Sequence, residues 1–182
     1  MADIDTRKLR DVLGCYATGV AVITTRTQDG SHVGVTVNSF SSVSLEPPLI
    51  LFSLLRTANI LSSFEKASSF VVNILSQHQK PLSNKFARPS SASWEDMVFS
   101  HAENGCALFS GSLAHLVCNK KAELEGGDHI IFLGLVTSFH LCSSADPLLF
   151  FRGAYGTYTR DQWSKMQPLD GSSPQLSISG WG

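Results

Sequence analysis

Residues 34–54 read GVTVNSFSSVSLEPPLILFSL, and this stretch decides the fold class. Valine recurs at every second position over 33–37, while Gly34, Thr36 and Asn38 occupy the positions between and after. Successive side chains of a strand point to opposite faces, so the alternation predicts one apolar face and one face of small and polar groups. The second face suits a flat polar ligand close to the backbone, but hydroxyl-bearing strands are also common without any ligand.

The second half of this stretch predicts another strand. Serines at 41, 42 and 44 are expected to form a turn. Glu46, Pro47 and Pro48 are expected to form an extended link, because proline fixes φ and disfavours helix at the residue before it. An apolar run, Leu49–Leu54, follows at once. We therefore expect two strands joined by a connection that is not helical.

The composition predicts one domain. The chain has 182 residues, 43% of them hydrophobic, which is enough for one buried core and short for two. Its net charge of −1 comes from 14 basic and 15 acidic residues without charge blocks, so neither a nucleic-acid-binding nor a membrane-binding surface is indicated. The first residues carry acids, and no segment reaches the roughly 18 apolar residues of a membrane span. We expect a cytoplasmic protein.

The four cysteines predict neither disulfides nor a metal site. Cys15, Cys106, Cys118 and Cys142 lie far apart in a chain without a secretory signal, and no Cys-x-x-Cys pair occurs. We expect four buried thiols. The six histidines never fall at metal-ligand spacing, so no metal site is predicted.

The segments before residue 34 predict a helix and a hairpin. Asp5 or Thr6 can cap a helix whose apolar residues recur at i, i+3, i+4 and i+7, which predicts an amphipathic helix lying on the core. Its apolar residues are Leu9, Val12, Leu13 and Tyr16. The β-branched run Val20–Thr25 is expected to pair with Ser31–Phe40 across the turn residues Gln28–Gly30.

The rest of the chain predicts short helices and then mostly strands. Helical spacing recurs over 60–67 and from Ser76 to Phe86, the latter bent at Pro81. A Ser- and Pro-rich loop with Trp94 covers 87–100. The predicted strands of this part are Phe70–Leu75, Leu113–Glu123, Ile130–Val136 and Pro147–Phe151. About seven strands and three short helices predict a mainly β fold, a closed or nearly closed antiparallel barrel with a few short flanking helices.

Sequence motifs of several enzyme classes are missing. No Gly-x-Gly-x-x-Gly follows a strand, and no Gly-x-x-x-x-Gly-Lys-Ser/Thr, Gly-x-Ser-x-Gly or His-Glu-x-x-His motif occurs. These absences count against a Rossmann dinucleotide fold, a phosphate-loop enzyme and the common hydrolases. A Ser-His-Asp site assembled from distant residues stays open at this point.

Six phrases occur in the order typical of one family. They are ATGVAVITT from residue 17, GVTVNSFSSVSLEPPLILFSL from 34, FVVNILS from 70, NKFA from 84, GGDHIIFLGLV from 126 and PLLFFRGAYG from 147. Over Leu9–Tyr158 the chain therefore resembles the flavin reductase-like family. Within it, the chain resembles the small reductase components of two-component aromatic hydroxylases of the phenol and chlorophenol monooxygenase type.

This resemblance implies a fold, cofactors and partners. The fold would be an FMN-binding split barrel, an antiparallel Greek-key β-barrel, over residues 1–165, with a C-terminal tail at 166–182. The protein would be a homodimer that binds FAD or FMN without a covalent bond, reduces it with NADH and releases it to a separate monooxygenase acting on an aromatic compound. Hydride passes directly between the cofactors, so no catalytic acid or base is implied. The resemblance favours FAD, and the lack of an arginine cluster for a 2′-phosphate favours NADH.

Two alternatives share the barrel, because a fold does not fix chemistry. One is a pyridoxine phosphate oxidase-like flavoprotein that retains its flavin. The other is a non-enzymatic module that binds flavin or heme.

The resemblance assigns flavin contacts to three segments. The matched residues are Thr36, Val37, Asn38, Ser39, Ser53, Leu54, Arg56, Thr57, Ala58, Asn59, Lys85, Phe86 and Ala87. Residues 56–59 would begin a helix, whose free N–H groups favour an anion. The family commonly has Ser or Thr at the next position, where this chain has Ile60, so the phosphate contacts depart from the pattern. The structural alternative places Lys85 on a solvated helix face and Phe86 in the core.

NADH contacts are implied at two later segments. His129 matches the family position near the nicotinamide, although a histidine that opens an apolar strand is more often structural. Arg152, Gly153, Tyr155 and Tyr158 follow the last core strand and would flank the pyridine nucleotide. Tyrosines at a strand end are also common packing residues.

Overall fold

The computed structural model describes residues 4–88 and 94–159, which are built mainly of antiparallel strands. The helices are α1 (Thr6–Leu13), α2 (Leu61–Lys66) and α3 (Lys80–Phe86), with a 3₁₀ turn at Gln77–Gln79 before α3. The strands are β1 (Thr18–Gly19), β2 (Ala21–Arg26), β3 (His32–Val37), β4 (Ser41–Leu45), β5 (Pro48–Leu55), β6 (Ser69–Ile74), β7 (Phe99–His101), β8 (Ala107–Phe109), β9 (Ala114–Gly126), β10 (His129–Leu141), β11 (Leu148–Phe151) and β12 (Ala154–Thr157). The predicted mainly β class with short helices is confirmed.

A seven-stranded antiparallel sheet, in the order β3-β2-β6-β9-β10-β5-β4, forms the body of the fold. Its two edge strands, β3 and β4, follow each other in the chain and are joined only by residues 38–40. Laid flat, the edges would be about 29 Å apart, because neighbouring strands lie about 4.8 Å apart. The chain from Val37 to Ser41 spans at most about 14 Å, so the sheet must curl until its edges meet. We call the line where β3 meets β5 the seam; the two strands are in contact there.

The β2–β3 hairpin agrees with its prediction, but the connection predicted after β3 does not. β2 pairs with β3 from Ala21 opposite Val37 to Arg26 opposite His32, as the alternation predicts. The turn expected at serines 41, 42 and 44 is wrong, because these residues belong to β4, which pairs with β5. The chain reverses instead between β4 and β5, at residues 46–47.

The apolar face of β3 packs into a core of aromatic rings. Phe52 stacks on Phe132 with 5.1 Å between ring centroids, and Phe64 and Phe70 contact Phe52 edge-on. All four rings are almost completely buried. The valines at 35 and 37 belong to the same cluster, which confirms the core face predicted from the alternation.

One buried carboxamide ties the sheet to the small β7–β8 hairpin. Asn73 Oδ1 accepts from the Phe109 N–H at 2.9 Å, and Asn73 Nδ2 donates to the Val22 carbonyl at 3.1 Å. Beside it, the Thr24 hydroxyl donates to the Ala107 carbonyl at 2.7 Å. Because the two polar side chains are fully buried, these bonds offset the cost of removing them from water and fix β8 on β2 and β6.

The first helix forms as predicted but does not pack as predicted. Asp5 caps α1 by accepting from the N–H groups of Arg7 and Lys8 at 3.1 Å. The expected packing of its apolar side on the core is wrong, because that side is exposed. The exposed residues are Leu9, Val12, Leu13 and Tyr16. Periodicity shows which side of a helix is apolar, but not which surface that side meets.

Several smaller predictions are corrected. Pro81 does not bend a long helix, because it lies in the first turn of α3, directly after the 3₁₀ turn. Cys15 and Cys142 are exposed, whereas Cys106 and Cys118 are buried as predicted. β7 begins inside the predicted loop, and the predicted tail lies outside the described residues. No helix in residues 4–88 and 94–159 is long and apolar enough to cross a bilayer.

Gly134 lies where the core has no room for a side chain. A Cβ there would be 2.4 Å from Cζ of Phe70 and 3.2 Å from both Cβ of Cys118 and Cδ1 of Ile50. We expect Gly134→Ala to lower the free energy of unfolding, measured by urea denaturation, by about 1–3 kcal/mol, the usual cost of overpacking. Gly19→Ala is the control, since no atom lies within 4 Å of its added Cβ. An equal decrease in the free energy of unfolding of the two variants would contradict the close packing at Gly134.

Candidate functional site

A cavity of about 460 Å³ opens on the seam between β3 and β5. We call it the seam cavity. It is lined by Val35, Thr36, Val37, Asn38, Ser39, Ser53, Leu54, Leu55, Thr57, Ala58, Asn59, Ala87 and His129. These residues come from β3, the link between β3 and β4, the end of β5, the loop before α2, the end of α3 and the first position of β10. The volume is in the range of small-molecule sites.

One hydroxyl holds the two walls of the seam cavity together. The Ser39 hydroxyl accepts from the Ser53 N–H at 3.0 Å and donates to the Ser53 carbonyl at 3.1 Å. The β4–β5 ladder pairs Ser41 with Leu51, and extending this register by two residues brings Ser39 opposite Ser53. A side chain therefore replaces the backbone ladder just before β4 begins.

Helix α3 covers the first part of the polar face of β3. The Thr36 hydroxyl donates to the Ser83 carbonyl at 2.6 Å, and the Ser83 hydroxyl hydrogen-bonds with the Tyr155 hydroxyl at 2.8 Å. A Cβ at Gly34 would lie 2.7 Å from the Phe86 ring, so this glycine is required for the close approach of α3. Of the three small or polar residues on this face, only the last, at position 38, is exposed.

Arg56 contacts the β9–β10 turn rather than the seam cavity. Its Nε donates to the Gly127 carbonyl at 2.8 Å, its backbone N–H donates to the Asp128 carbonyl at 2.9 Å, and its guanidinium pairs with Glu125. The same turn leads into His129, whose Nδ1 lies 2.7 Å from Asp128 Oδ1. This hydrogen bond, with the attraction of the imidazole, lowers the pKa of Asp128. Arg56 therefore supports the site by positioning the turn that carries His129.

The loop before α2 lines the seam cavity, but the helix begins later than expected. α2 starts at Leu61, and Ile60 before it provides no capping side chain. The Leu61 N–H already donates to the Ala58 carbonyl at 2.9 Å. The expected helix start at positions 56–59 is therefore wrong. The polar groups that this loop offers are the exposed side chains of Thr57 and Asn59.

A second cavity, of about 910 Å³, lies between α1 and the β11–β12 hairpin. We call it the α1 cavity; its lining is Arg10, Asp11, Val12, Leu13, Gly14, Cys15, Tyr16, Thr18, Asn38, Phe150, Arg152 and Gly153. The Arg152 N–H donates to the Gly14 carbonyl at 2.9 Å, which docks the hairpin on the end of α1. Asn38 lines both cavities, so they meet at this residue. Arg10 and Arg152 give the α1 cavity two cationic groups.

The structure brings most of the predicted site residues together. Of the thirteen residues matched to flavin contacts, ten line the seam cavity, and His129 lines it with them. Arg152 and Gly153, matched to NADH contacts, line the α1 cavity. Ten of the predicted flavin contacts thus share the seam cavity with His129, and two of the five predicted NADH contacts line the adjoining α1 cavity.

Five predicted residues lie elsewhere. Arg56 is bound to the β9–β10 turn, and Lys85 lines a separate cavity beside α3. Phe86 is fully buried in the core, which agrees with the structural alternative for this residue. Tyr155 supports α3 through its bond to the Ser83 hydroxyl, and Tyr158 lies beyond β12 and lines neither cavity.

Sequence reasoning missed the contribution of α1. Arg10, Cys15, Tyr16 and Thr18 line the α1 cavity, whereas the helical periodicity assigned the apolar side of this helix to the core. No local pattern could have placed these residues beside Asn38. Their position depends on where the β11–β12 hairpin docks, and that hairpin is formed much later in the chain.

The seam cavity fits a flat heteroaromatic ring with a polar chain attached. Val35, Val37 and Leu54 give it an apolar lining, while Asn38, Thr57 and Asn59 add exposed carboxamide and hydroxyl groups. Its described lining includes no lysine or arginine, so it suits the ring and polyol parts of such a ligand rather than its phosphates. Within residues 4–88 and 94–159, no group of three or more His, Cys, Asp or Glu side chains is placed to hold a metal ion.

Comparison with known proteins identifies the family. The flavin reductase like domain matches residues 13–159, and the chain belongs to this family. It is 42% identical, over 83% of its length, to the reductase component of a flavin-dependent trigonelline monooxygenase from Acinetobacter baylyi. It is 40% identical, over 84% of its length, to a probable flavin reductase from Rhizobium meliloti (strain 1021). The chain spans about half the length of these relatives, 48% and 49% respectively.

One solved structure shows the same fold with ligands bound. It is the NADH:FAD oxidoreductase SgcE6 of Streptomyces globisporus C-1027, in complex with NAD and FAD fragments. The TM-score is 0.81 at 33% identity, and the match covers 88% of this chain and 99% of that one. The mainly β, antiparallel fold of this chain is therefore shared with this reductase.

The Ser39 bridge can be tested by stability and amide exchange. We expect Ser39→Ala to lower the free energy of unfolding by about 1–2 kcal/mol, because two backbone groups of Ser53 lose their partner. The Ser53 amide should also exchange faster in hydrogen-exchange measurements. Ser41→Ala is the control, because that exposed hydroxyl donates to the neighbouring Ser42 carbonyl and bridges no two strands among the described residues. Unchanged exchange at Ser53 would show that the bridge does not hold the seam.

Proposed function

We propose that the protein is an NADH-dependent flavin reductase that binds FAD or FMN in the seam cavity and NADH beside it. One observation carries the proposal: ten residues matched to flavin contacts converge on one cavity, which meets a second, cationic cavity at Asn38. Membership of the flavin reductase family supports the same activity.

The residues of the seam cavity would hold the flavin ring. A bound flavin accepts hydride at N5 from reduced nicotinamide, and this chemistry belongs to the cofactors. Val37 and Leu54 provide apolar contact for a ring. The Asn38 carboxamide can donate to a ring carbonyl or accept from a ring N–H. Thr57 and Asn59 offer hydroxyl and carboxamide groups to the polyol chain.

His129 would orient the nicotinamide. Because its Nδ1 donates to the ionised Asp128, its Nε2 is the nitrogen that can accept from the carboxamide of a pyridine nucleotide. Arg10 and Arg152 in the α1 cavity are the cationic groups that can contact its diphosphate. Asn38 lies where the cavities meet, so the two rings would face each other beside this residue.

The partner that we propose is a separate monooxygenase, which receives reduced flavin by diffusion. One relative is, by its name, the reductase component of such an enzyme. Hydroxylation of an aromatic compound such as a phenol or chlorophenol is proposed on the resemblance of the six sequence phrases. FAD as the preferred flavin has the same basis, and SgcE6 in complex with FAD fragments supports it. The cytoplasmic location and the division into residues 1–165 and 166–182 stay predictions.

An uncovered apolar face supports the proposed homodimer. β5 and β10 are apolar on both sides: their inner residues are buried, and most of their outer residues are only half-buried. Register places the outer residue Leu133 beside Leu51, and Ile131 beside Leu124. Antiparallel strands with one face in water normally alternate apolar and polar residues. An outer face that is also apolar therefore indicates that another protein surface packs on it. We propose that a second copy of the chain provides it.

Anaerobic stopped-flow mixing of the protein with NADH and excess FAD or FMN tests the activity. We expect the absorbance of NADH and of oxidised flavin to fall through many turnovers per protein, as a free flavin substrate requires. Stoichiometric, tightly retained flavin without NADH turnover would favour the pyridoxine phosphate oxidase-like alternative or the flavin- or heme-binding module. If the protein neither oxidises NADH nor binds flavin, the flavin reductase and both flavin-binding alternatives are rejected.

Two variants test the assignments within the site. We expect Asn38→Ala to raise KM for flavin and His129→Ala to raise KM for NADH, each by on the order of tenfold, which corresponds to one lost hydrogen bond. The control is His140→Ala, an exposed histidine near the other end of β10. If both KM values are unchanged, the cofactors bind elsewhere, and the membership of the chain in the flavin reductase family is not affected.

The homodimer can be tested at Leu133. We expect the wild-type chain to sediment as a dimer and Leu133→Lys to sediment as a monomer, because the new charge would lose its hydration in the interface. Val98→Lys is the control, since Val98 is 88% exposed and precedes β7, outside this face. A folded Leu133→Lys variant that remains dimeric would place the interface elsewhere, and a monomeric wild-type protein would reject the dimer.

A further inference from the structure

Cys142 and His115 form a pair outside both cavities. The Cys142 sulfur lies 3.2 Å from Nδ1 of His115, within hydrogen-bond distance for sulfur. Cys142 directly follows β10 and is exposed, whereas His115, in β9, is only 9% exposed. The Cys142 N–H donates to the Leu113 carbonyl at 2.7 Å, which holds this residue next to the ring. A buried imidazole thus contacts a thiol that solvent can reach.

The other ring nitrogen of His115 determines how this pair shares its proton. His115 Nε2 lies 3.0 Å from the Phe109 carbonyl oxygen, which can only accept, so Nε2 carries a hydrogen. Nδ1 of the neutral ring is then an acceptor, to which the Cys142 thiol can donate; the same thiol also lies 3.5 Å from the His140 carbonyl oxygen. Burial lowers the pKa of His115, and the nearby His140 adds to this effect, so the ring is neutral at pH 7 and its Nδ1 keeps a lone pair facing the thiol. This is the arrangement of a thiol nucleophile with an adjacent base.

The other three cysteines lack this combination. Cys106 and Cys118 are buried, and burial raises the pKa of both thiols, that of Cys118 to about 12. Cys15 is exposed, but its sulfur contacts the Asp11 carbonyl and the Arg152 guanidinium rather than an imidazole. Cys142 therefore differs from Cys15 by having a base, and from the buried pair by being accessible.

We propose that Cys142 is a redox-modification site that reacts with hydrogen peroxide to give a sulfenic acid, with His115 as its base. Nδ1 of His115 takes the thiol proton, and the Cys142 sulfur attacks one oxygen of the peroxide. The S–O bond forms as the O–O bond breaks, and the electron pair leaves with the second oxygen. That oxygen takes the proton from Nδ1 and departs as water. The sulfur is oxidised by two electrons and the peroxide is reduced by two.

The proposed function supplies a source of hydrogen peroxide. Only this source of the oxidant rests on the proposed function. Free reduced flavin reacts with molecular oxygen and yields hydrogen peroxide, so a protein that releases reduced flavin works where this oxidant forms. The reactivity of Cys142 follows from its contact with His115 and is measured with added peroxide, without NADH or flavin.

The test is to add peroxide to the full chain with dimedone present and to locate trapped sulfenic acid by peptide mass spectrometry. We expect Cys142 to be labelled at least about tenfold faster than Cys15, because a positioned base that takes the thiol proton speeds such a step by at least this factor. Cys15 is the comparison within the same molecule, because it is exposed and lacks the imidazole, although its sulfur contacts the Arg152 guanidinium. Equal labelling rates of Cys15 and Cys142 would overturn the proposal.

Two variants separate the role of His115 from accessibility. His115→Gln should slow the labelling of Cys142 to the rate of Cys15, and an unchanged rate in this folded variant would overturn the role of the base. If the variant does not fold, the ratio of the two rates in the wild-type protein decides. Cys142→Ser should remove the label at this position and leave NADH:flavin turnover unchanged. Absent turnover in the wild-type protein would reject the proposed function without affecting the thiol result.

Discussion

The short link between β3 and β4 is the constraint on which the rest of the structure depends. Residues 38–40 join two strands that lie at opposite edges of a seven-stranded sheet, so the sheet has to curl. At the seam the Ser39 hydroxyl takes the place of backbone pairing at Ser53. The seam cavity opens beside this bridge. The candidate binding site therefore results from the way the sheet closes on itself.

Polar side chains on the seam serve two purposes. Thr36 and Ser39 use their hydroxyls for bonds to α3 and β5 and so fix the walls of the cavity. Asn38, between them in the chain, is exposed and lines both cavities. An exposed carboxamide held between two fixed neighbours is preorganised, which lowers the ordering cost of binding a ligand that is not covalently attached.

Much of the fold and of the candidate site could be predicted because it depends on local patterns. The alternation around Val35 and Val37 is set by the two-residue repeat of a strand, and the structure places both valines in the core. The polar residues of the same phrase then line the seam cavity. Predictions failed where an element meets a distant surface. Phe86 and Lys85 are adjacent in the matched NKFA phrase, yet α3 turns one into the core and the other toward a separate cavity.

The sequence by itself determined seven of the strands, the buried face of β3 and the family, because side-chain alternation and ordered short phrases are properties of neighbouring residues. Only the tertiary structure decided that the apolar side of α1 is exposed and that Arg10 and Arg152 share a cavity with Asn38. It also decided that His115 contacts Cys142 across the β9–β10 ladder. Such contacts depend on sheet closure and hairpin docking, which join residues far apart in the chain and leave no periodic trace in it.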